Sequence, residues 1–194
     1  MTLHKKLNQK KQIRVIGFDD APFPKNGHGK VNVSGIVCSN TRFEGMLWGE
    51  VDKDGFDATH KLSSMICNSK FHQQLDAVLL DGIAVAGFNI INLKEMHELT
   101  GLPSIAVMRR MPDLPSIYSA LGNLNKSELR IKILEEAGEI HHLGGFFFQV
   151  IGCDAACAAE VLKAVTDNGK VPEPLRLAHL IGAAIMGGES SNRA

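Results

Sequence analysis

Asp81 has the position in this 194-residue chain that is most typical of a catalytic side chain. It directly follows the apolar run 77–80, and Asp19 and Asp20 follow the apolar run 13–18 in the same way. Because the carboxyl ends of neighbouring parallel strands meet at one edge of an α/β sheet, aspartates in these positions can converge. Convergent carboxylates are the ligands of a hard divalent cation. The spacing therefore predicts a metal site that contains Asp19 and Asp81.

Such a site would suit the hydrolysis of a phosphodiester bond. Magnesium is held by few carboxylates, keeps several waters and bridges to phosphate oxygens. A bound cation also lowers the pKa of an attacking water and stabilises the leaving oxygen. The structural alternative is that each aspartate only caps the turn or helix that follows it, which is a common use of Asp. For either aspartate alone the two explanations are equally good, and two strand-end aspartates together are compatible with one shared metal site.

Five further residues are candidates to complete or assist this site. Asp57 and Asp154 each open a helical pattern, so each is either the third metal ligand or a helix N-cap. Arg109 follows a predicted strand, where its guanidinium can clamp a phosphate, and Arg110 is a second candidate for this contact. The alternative is that both arginines form surface ion pairs. Gly82 has no side chain and permits the close approach of a base or phosphate, although tight turn packing explains it equally well.

Other conspicuous residues have structural explanations. Asp20 is either a partner within the site or a solvated loop acid, and Asp54 and Glu50 are weaker alternatives as the third ligand. The adjacent histidines 141–142 are poorly placed to chelate one ion, and we expect them in a solvent-facing loop. The phenylalanines 146–148 are typical of a buried strand rather than of a base-stacking platform.

Composition is that of an ordinary globular protein. Hydrophobic residues make up 44% and charged residues 22%, and 21 Lys and Arg balance 21 Asp and Glu. Bulk charge therefore indicates neither a nucleic acid nor a membrane partner. No run of about 18 apolar residues predicts a transmembrane helix. The four cysteines form no C-x-x-C pair and are typical of reduced thiols, so we expect a cytoplasmic protein without membrane association.

Hydrophobic periodicity predicts an α/β domain. Strands are predicted at 13–18, 31–38, 45–51, 77–81, 104–108 and 145–151, and helices at 57–69, 92–100, 126–137, 154–166 and 175–186. The first three strands are close enough in sequence to be antiparallel neighbours, and strands then alternate with helices. This order predicts one mixed sheet with helices on its faces. We expect a single domain over residues 13–194, after a basic polar leader, residues 1–12, that is either a solvated tail or a nucleic-acid-binding cluster.

Parts of the sequence resemble endonuclease V. In that family a strand ends in Asp-Gly, a turn and helix follow, and the next strand leads to a basic residue, as residues 80–84 and 101–109 do here. Residues 171–179 resemble its carboxyl-terminal proline-rich helix start, and residues 17–19 match the Gly-x-Asp of its first strand.

The whole chain from residue 13 onward resembles more closely an archaeal endonuclease V-like family, some members of which are labelled endonuclease dU. The phrases that carry this resemblance are residues 17–23 and 86–91. It implies an RNase H-like fold and metal-dependent cleavage beside a deaminated base.

The resemblance also implies roles for single residues. Asp19 matches the first-strand aspartate of endonuclease V, Asp81 its central aspartate, and Arg109 falls where it has a lysine. Asp57 is the acid nearest to the place of its glutamate, and Asp154 lies near the place of a histidine that helps at the metal site. The Pro-Tyr-x-Pro wedge of endonuclease V is absent from this sequence.

These observations predict a magnesium- or manganese-dependent endonuclease that cleaves DNA near uracil or hypoxanthine in DNA repair. The expected partner is deaminated or single-stranded DNA. The alternative is a non-catalytic nucleic-acid-binding protein that keeps the RNase H-like fold. A third possibility is the hydrolysis of RNA or of a modified nucleotide. Oligomeric state is left open by the sequence.

Overall fold

The computed structural model describes residues 3–9, 11–24 and 26–191. The strands are β1 (Arg14–Asp20), β2 (Lys30–Ser39), β3 (Arg42–Asp52), β4 (Ala77–Asp81), β5 (Ala84–Val85), β6 (Asn89–Ile90), β7 (Ser104–Met108), β8 (His141–Leu143) and β9 (Phe146–Ile151). The helices are α1 (Leu3–Asn8), α2 (Ala58–Cys67), α3 (Leu93–Thr100), α4 (Leu114–Gly122), α5 (Ser127–Glu136), α6 (Ala155–Ala164) and α7 (Glu173–Gly187), and His72–Gln74 form a 3-10 turn.

Seven strands form one mixed sheet in the order β3-β2-β1-β4-β7-β9-β8. The first three strands form an antiparallel meander, β1, β4 and β7 run parallel, and β9 returns antiparallel to β7. The short strands β5 and β6 pair separately, directly after β4. The predicted mixed sheet with an antiparallel start is therefore confirmed.

The register of the parallel strands fixes the relative positions of the two central aspartates. Phe18 of β1 pairs with Leu80 of β4, so the next residues, Asp19 and Asp81, lie side by side at the carboxyl ends of these strands. Asp81 in turn pairs with Val107 of β7. Both aspartates therefore lie at the same edge of the sheet, as their spacing predicts.

Alternation along the strands decides which face each acid occupies. On one face Val15 and Leu79 pack with α6 and the start of α7. On the other face Phe18 and Leu80 pack with α2 and α3. Since side chains alternate between faces, Asp19 and Asp81 share the α6/α7 face with Val15 and Leu79.

Close packing of α7 holds that helix against β1 and β2. An added Cβ at Gly17 would lie 2.8 Å from Cβ of Pro174, and one at Gly182 would lie 3.2 Å from Cα of Ala21. Glycine at both positions lets the helix backbone approach the strands. The Ser34 hydroxyl also donates a hydrogen bond of 2.8 Å to the carbonyl of Ala178. These contacts place the middle of α7 above the end of β1.

Two sequence-based expectations are wrong. The sequence pattern predicts no helix between the strand 104–108 and the helix 126–137, yet α4 begins at Leu114, within the proline-containing segment around Pro112 and Pro115. Proline is tolerated in a first helical turn because the N–H it lacks would have no helical partner there. The histidines 141–142 lie in the edge strand β8 rather than in a loop, and the ring of His142 stacks on that of Phe147 at 4.1 Å.

Within the leader, α1 packs against the domain. Leu3 and Leu7 of α1 pack on the core cluster beneath α6, and Lys6 Nζ lies 2.5 Å from Oδ1 of Asp76. These contacts disagree with a fully solvated tail. Among the described residues no helix is long and apolar enough to cross a membrane.

Candidate metal and phosphate site

Asp19 is the most deeply buried acid of the site, with 8% of its surface exposed. Its Oδ2 lies 2.9 Å from Nδ1 of His179, which projects from α7. The pKa of the Asp19 carboxyl is raised to about 7, first by burial and then by the charges of Asp81 and Asp20, while the contact with His179 opposes this rise. A nearby cation stabilises the ionised form of such a carboxyl group, because the positive charge offsets the free-energy cost of ionising a buried acid.

Asp81 lies beside Asp19 and is half-buried. Its Oδ2 is 3.5 Å from Nη2 of Arg109, whose side chain is exposed just beyond the end of β7. The guanidinium therefore lies at the carboxylate pair and keeps donors directed to solvent. This arrangement brings together three of the residues that the sequence singles out: Asp19, Asp81 and Arg109.

Asp20 points to the opposite face of β1. Its Oδ2 accepts a hydrogen bond of 2.6 Å from the backbone N–H of Ala86, in the turn between β5 and β6. Burial raises the pKa of Asp20, the Ala86 hydrogen bond opposes this rise, and the charge of Asp81 adds to it. Asp20 is thus not a solvated loop acid; it ties the turn after β4 to the end of β1.

Asp57 lies in the connection between β3 and α2. Its Oδ1 accepts hydrogen bonds from the backbone N–H of Asp52 at 3.0 Å and from Nδ2 of Asn89 at 2.8 Å. It is the residue before α2, but its side chain makes no capping hydrogen bond. Its Oδ2 is buried without a hydrogen-bond partner among the described residues. A role for Asp57 as the third metal ligand stays a prediction, and Oδ2 is the oxygen that would coordinate the metal.

Asp154 lies near the amino-terminal ends of the parallel strands, opposite to the carboxyl ends that carry Asp19 and Asp81. It precedes α6 and caps it, accepting a hydrogen bond of 2.8 Å from the N–H of Cys157. The nearby residue Ile151 ends β9 and pairs with Ser104, the first residue of β7, whereas Asp81 pairs near the other end of β7. One strand of five residues, about 13 Å, separates these two edges. The structure does not bring Asp154 to Asp19 and Asp81, and its capping bond explains its position.

Gly82 and Arg110 flank the acids. Gly82 has a left-handed backbone (φ 87°), and its N–H donates to the carbonyl of Val107 at 2.8 Å. A largely apolar cavity of about 560 Å³ begins at Gly82 and extends between β7 and α4, with Met108 and Tyr118 in its wall. Arg110 is exposed next to Arg109.

The donor set fits a cation held mainly by two carboxylates. Among the residues described, no three His, Cys, Asp or Glu side chains are grouped closely enough to hold a metal by themselves. Magnesium often uses only one or two protein carboxylates and fills its remaining positions with water and substrate phosphate. Asp19 and Asp81 supply these two, and their mutual repulsion in a buried setting is what a bound cation would relieve.

Sequence reasoning did not assign a role to His179. The residue lies within the stretch 171–179 that resembles endonuclease V. A signal was available in the helix pattern, since His179 follows the buried residue Ala178 and lies four positions after buried Leu175. A histidine at the border of the sheet-facing side of an apolar helix is placed to meet the acid at the strand end.

Comparison with known proteins fixes the family. Residues 11–186 match the sequence profile of the family described as Endonuclease dU. The chain belongs to this family. A UPF0215 protein of Archaeoglobus fulgidus is 41% identical over 184 residues, which cover 95% of this chain and 99% of that protein. UPF0215 protein PH0071 of Pyrococcus horikoshii is 41% identical over 186 residues, covering 93% and 96%. The resemblance noted in the sequence is confirmed.

Solved structures that are similar to this protein include those of endonuclease V. A crystal structure of a protein of unknown function from Archaeoglobus fulgidus superposes with a TM-score of 0.84 at 41% identity, covering 89% of this chain and 98% of that one. The catalytic domain of human endonuclease V gives 0.61 at 16% identity, covering 94% and 85%.

Ciona intestinalis endonuclease V, in complex with DNA that contains an inosine followed by a ribo-adenosine, gives a TM-score of 0.57 at 17% identity, covering 87% and 84%. At these identities the endonuclease V structures establish the fold. The fold is RNase H-like, as expected.

Proposed function

We propose that this protein is a divalent-metal-dependent endonuclease that cleaves a phosphodiester bond near a deaminated base, uracil or hypoxanthine, in DNA. The observation that carries the proposal is the pairing of Asp19 and Asp81 at the adjacent ends of β1 and β4. Burial and like charge make this pair unfavourable without a cation. An anionic pair with an arginine beside it is suited to a metal on one side and a phosphate on the other.

The residues of the site divide the work. Asp19 and Asp81 would hold magnesium or manganese, which, when bound, supplies a Lewis acid and lowers the pKa of bound water. His179 orients the Asp19 carboxylate through its 2.9 Å contact. Arg109, next to Asp81, would donate to an oxygen of the scissile phosphate, and Arg110 to a neighbouring phosphate. Gly82 leaves room for the substrate beside Asp81.

DNA as substrate is supported by the comparisons. The family is described as Endonuclease dU, and a structural neighbour, Ciona intestinalis endonuclease V, is in complex with inosine-containing DNA. The choice between uracil and hypoxanthine, the metal and a role in DNA repair are part of the proposal. We also propose that the protein acts in the cytoplasm.

One observation favours the second candidate, a non-catalytic nucleic-acid-binding protein. Asp154 caps α6 away from the site, and Asp57 accepts hydrogen bonds from Asp52 and Asn89. Asp19 and Asp81 would then be the metal ligands without a third carboxylate. A protein of this kind would bind DNA at Arg109 and Arg110 without cutting it.

Cleavage of end-labelled DNA that carries one uracil or one hypoxanthine tests the proposal. We expect cutting near the lesion with magnesium or manganese and none with a chelator. Asp19→Asn and Asp81→Asn should each lower the rate by more than about 100-fold. Asp167→Asn is the matched control. Asp167 is exposed beyond α6, so this substitution makes the same chemical change outside the site.

Metal binding is measured separately by the thermal shift that each cation produces in protein without DNA. The proposal fails if wild type binds lesion DNA but cuts none with any metal, which is the outcome expected of the binding protein. It also fails if cutting persists in Asp81→Asn. Parallel reactions with single-stranded DNA, RNA and mononucleotides separate the third possibility.

A further inference from the structure

The cavity that begins at Gly82 lies beside the carboxylate pair and has a volume of about 560 Å³. Its walls are the turn after β4, the end of β7, the helices α4 and α5, and the strand β9. Most of the side chains around it are apolar, among them Met108, Ile117 and Leu134. Pockets for small molecules are typically apolar and carry a few polar groups that fix the orientation of the ligand. The cavity is therefore suited to a flat, largely apolar group such as a nucleobase.

Gln149 is the buried polar side chain in the wall of this cavity. It lies on β9 and is 4% exposed, whereas the two glutamates of the wall, Glu135 and Glu139, are exposed. Its Nε2 donates a hydrogen bond of 2.8 Å to the carbonyl of Gly138, and its Oε1 accepts none from the described residues. Because a carbonyl can only accept, this contact fixes which end of the amide is the nitrogen. Oε1 is therefore the atom that remains to accept a hydrogen bond from a ligand.

Strand register places Gln149 close to the carboxylate pair. Gln149 pairs with Ala106 of β7, and Ala106 pairs with Leu80 of β4, the residue before Asp81. Two strand spacings of about 4.8 Å separate β9 from β4, so these strand positions are about 10 Å apart. A nucleotide whose phosphate lies at the carboxylates spans such a distance to the far edge of its base. The opening of the cavity at Gly82 gives the base a path from the sheet edge to the amide.

We propose that Gln149 is a specificity-determining residue, whose Oε1 selects a deaminated base extruded into this cavity; this role rests on the proposed function. Enzymes that extrude a base read it by hydrogen bonds to its pairing edge. Deamination converts adenine to hypoxanthine and cytosine to uracil. In each product the ring nitrogen beside the new carbonyl carries a hydrogen, whereas in the parent base that nitrogen carries a lone pair. A fixed acceptor therefore pairs with the product and opposes the parent.

Burial makes this discrimination effective. A parent base would place its ring lone pair against Oε1, and both acceptors would be left without a hydrogen bond. A site built to hydrogen-bond its ligand rejects analogues for this reason. Guanine and thymine carry the same ring N–H, so Gln149 separates a deaminated base from its parent only. In a duplex, the lower cost of extruding a mismatched base supplies the remaining selection.

Fluorescence anisotropy with single-stranded DNA in chelator tests this role without cleavage. The oligonucleotides carry one hypoxanthine, adenine or 1-methylhypoxanthine at the same position, and no base pair has to be broken. The methylated base keeps the carbonyl but lacks the ring hydrogen. We expect wild type to bind the hypoxanthine DNA at least about fivefold more tightly than either of the others.

Gln149→Met removes the amide at nearly constant size and should bring both affinity ratios to about one. Gln74→Met is the matched control. Gln74 is an exposed glutamine that also donates to a backbone carbonyl, that of Lys70 at 3.3 Å. This variant should keep the wild-type ratios. Circular dichroism verifies that both variants are folded, and the wild-type ratios decide the question if Gln149→Met is not.

Equal binding of the three oligonucleotides by wild type overturns the inference, and so does an unchanged preference in folded Gln149→Met. The nuclease function fails separately, in the cleavage assay with metal. A preference that depends on Gln149 in a protein that cuts nothing would support the inference and remove the nuclease. Cutting by Gln149→Met with the wild-type choice of base would do the reverse.

Discussion

His179 Nδ1 lies 2.9 Å from Asp19 Oδ2 and joins residues that are 160 positions apart in sequence. The contact depends on α7 lying directly on β1, which the glycines at 17 and 182 permit. The last helix thereby contributes a side chain to the site, although the two aspartates are set by strand register alone. Positioning of the site is divided between the sheet and this helix.

The metal-free protein should lose stability as pH rises from about 4 to about 7. Burial first, and then the charges of Asp81 and Asp20, raise the folded-state pKa of Asp19 from its usual 3.8 to about 7. The folded state therefore binds a proton more tightly than the unfolded state, and its advantage is complete below about pH 4 and gone above about pH 7. The difference corresponds to at most about 4 kcal/mol.

Urea unfolding in chelator at several pH values measures this dependence. Asp19→Asn should flatten the curve and raise the free energy of unfolding above pH 7, because its neutral amide avoids the cost of ionisation. Asp167→Asn should keep the wild-type slope. An Asp19→Asn protein with an unchanged pH slope would contradict the raised pKa.

Gly17→Ala should destabilise the protein by about 1–3 kcal/mol. The new Cβ would lie 2.8 Å from Cβ of Pro174 and 3.0 Å from its carbonyl carbon, so the start of α7 must move. Movement of α7 also displaces His179 from Asp19. Chemical denaturation measures the stability loss, and a weaker thermal response to magnesium reports the displaced histidine.

Gly122→Ala is the matched control for that substitution. Gly122 ends α4, and among the described residues a Cβ there meets nothing within 4 Å apart from its chain neighbours and its own helix backbone. Alanine favours a helix by up to about 1 kcal/mol relative to glycine. We expect unchanged or slightly increased stability, and an equal loss in both variants would show that contact with α7 is not the cause.

Much of this architecture could be predicted from local pattern. Ser104–Met108 has the predicted bounds, and α3 ends at Thr100, the predicted last residue, before the left-handed backbone of Gly101 (φ 71°). Asp19 and Asp81 were found because each directly follows a buried apolar run, so their position needs only strand register. These are features that a few adjacent residues determine.

Features that depend on distant contacts could not be predicted in the same way. Asp154 has the same helix-start pattern as Asp57, and only the antiparallel return of β9 places it at the other sheet edge. The His179 contact requires the packing of α7 on β1. The start of α4 was obscured because Pro115 suggests a loop unless it falls in a first helical turn.

Arg130→Met should destabilise the protein by about 3 kcal/mol or more. The side chain is 3% exposed, and its guanidinium donates to the backbone carbonyls of Asn125, Gly55, Phe88 and Asp54. Removing these donors leaves several buried acceptors without partners, each costing about 1–3 kcal/mol before relaxation.

Arg130→Lys separates charge from geometry. It keeps the cation, but one ammonium group cannot reach carbonyls that the planar guanidinium serves in different directions. We expect a stability between those of wild type and Arg130→Met in urea unfolding. Equal stability of the lysine variant and wild type would show that charge, rather than the set of hydrogen bonds, is what matters at this position.

Arg109→Ala should weaken binding of DNA and reduce its salt dependence. Arg109 is exposed beside Asp81, at the edge where the phosphate is proposed to bind. Loss of one phosphate contact lowers the slope of log affinity against log salt concentration by about 0.7–0.9. Fluorescence anisotropy with labelled DNA in chelator, at a series of salt concentrations, measures this slope without cleavage.

Arg42→Ala is the matched control. Arg42 is an exposed arginine at the start of β3, near the end of the sheet opposite to Asp19 and Asp81. An equal change of slope in both variants would mean that DNA binds through general surface charge rather than at the carboxylate pair.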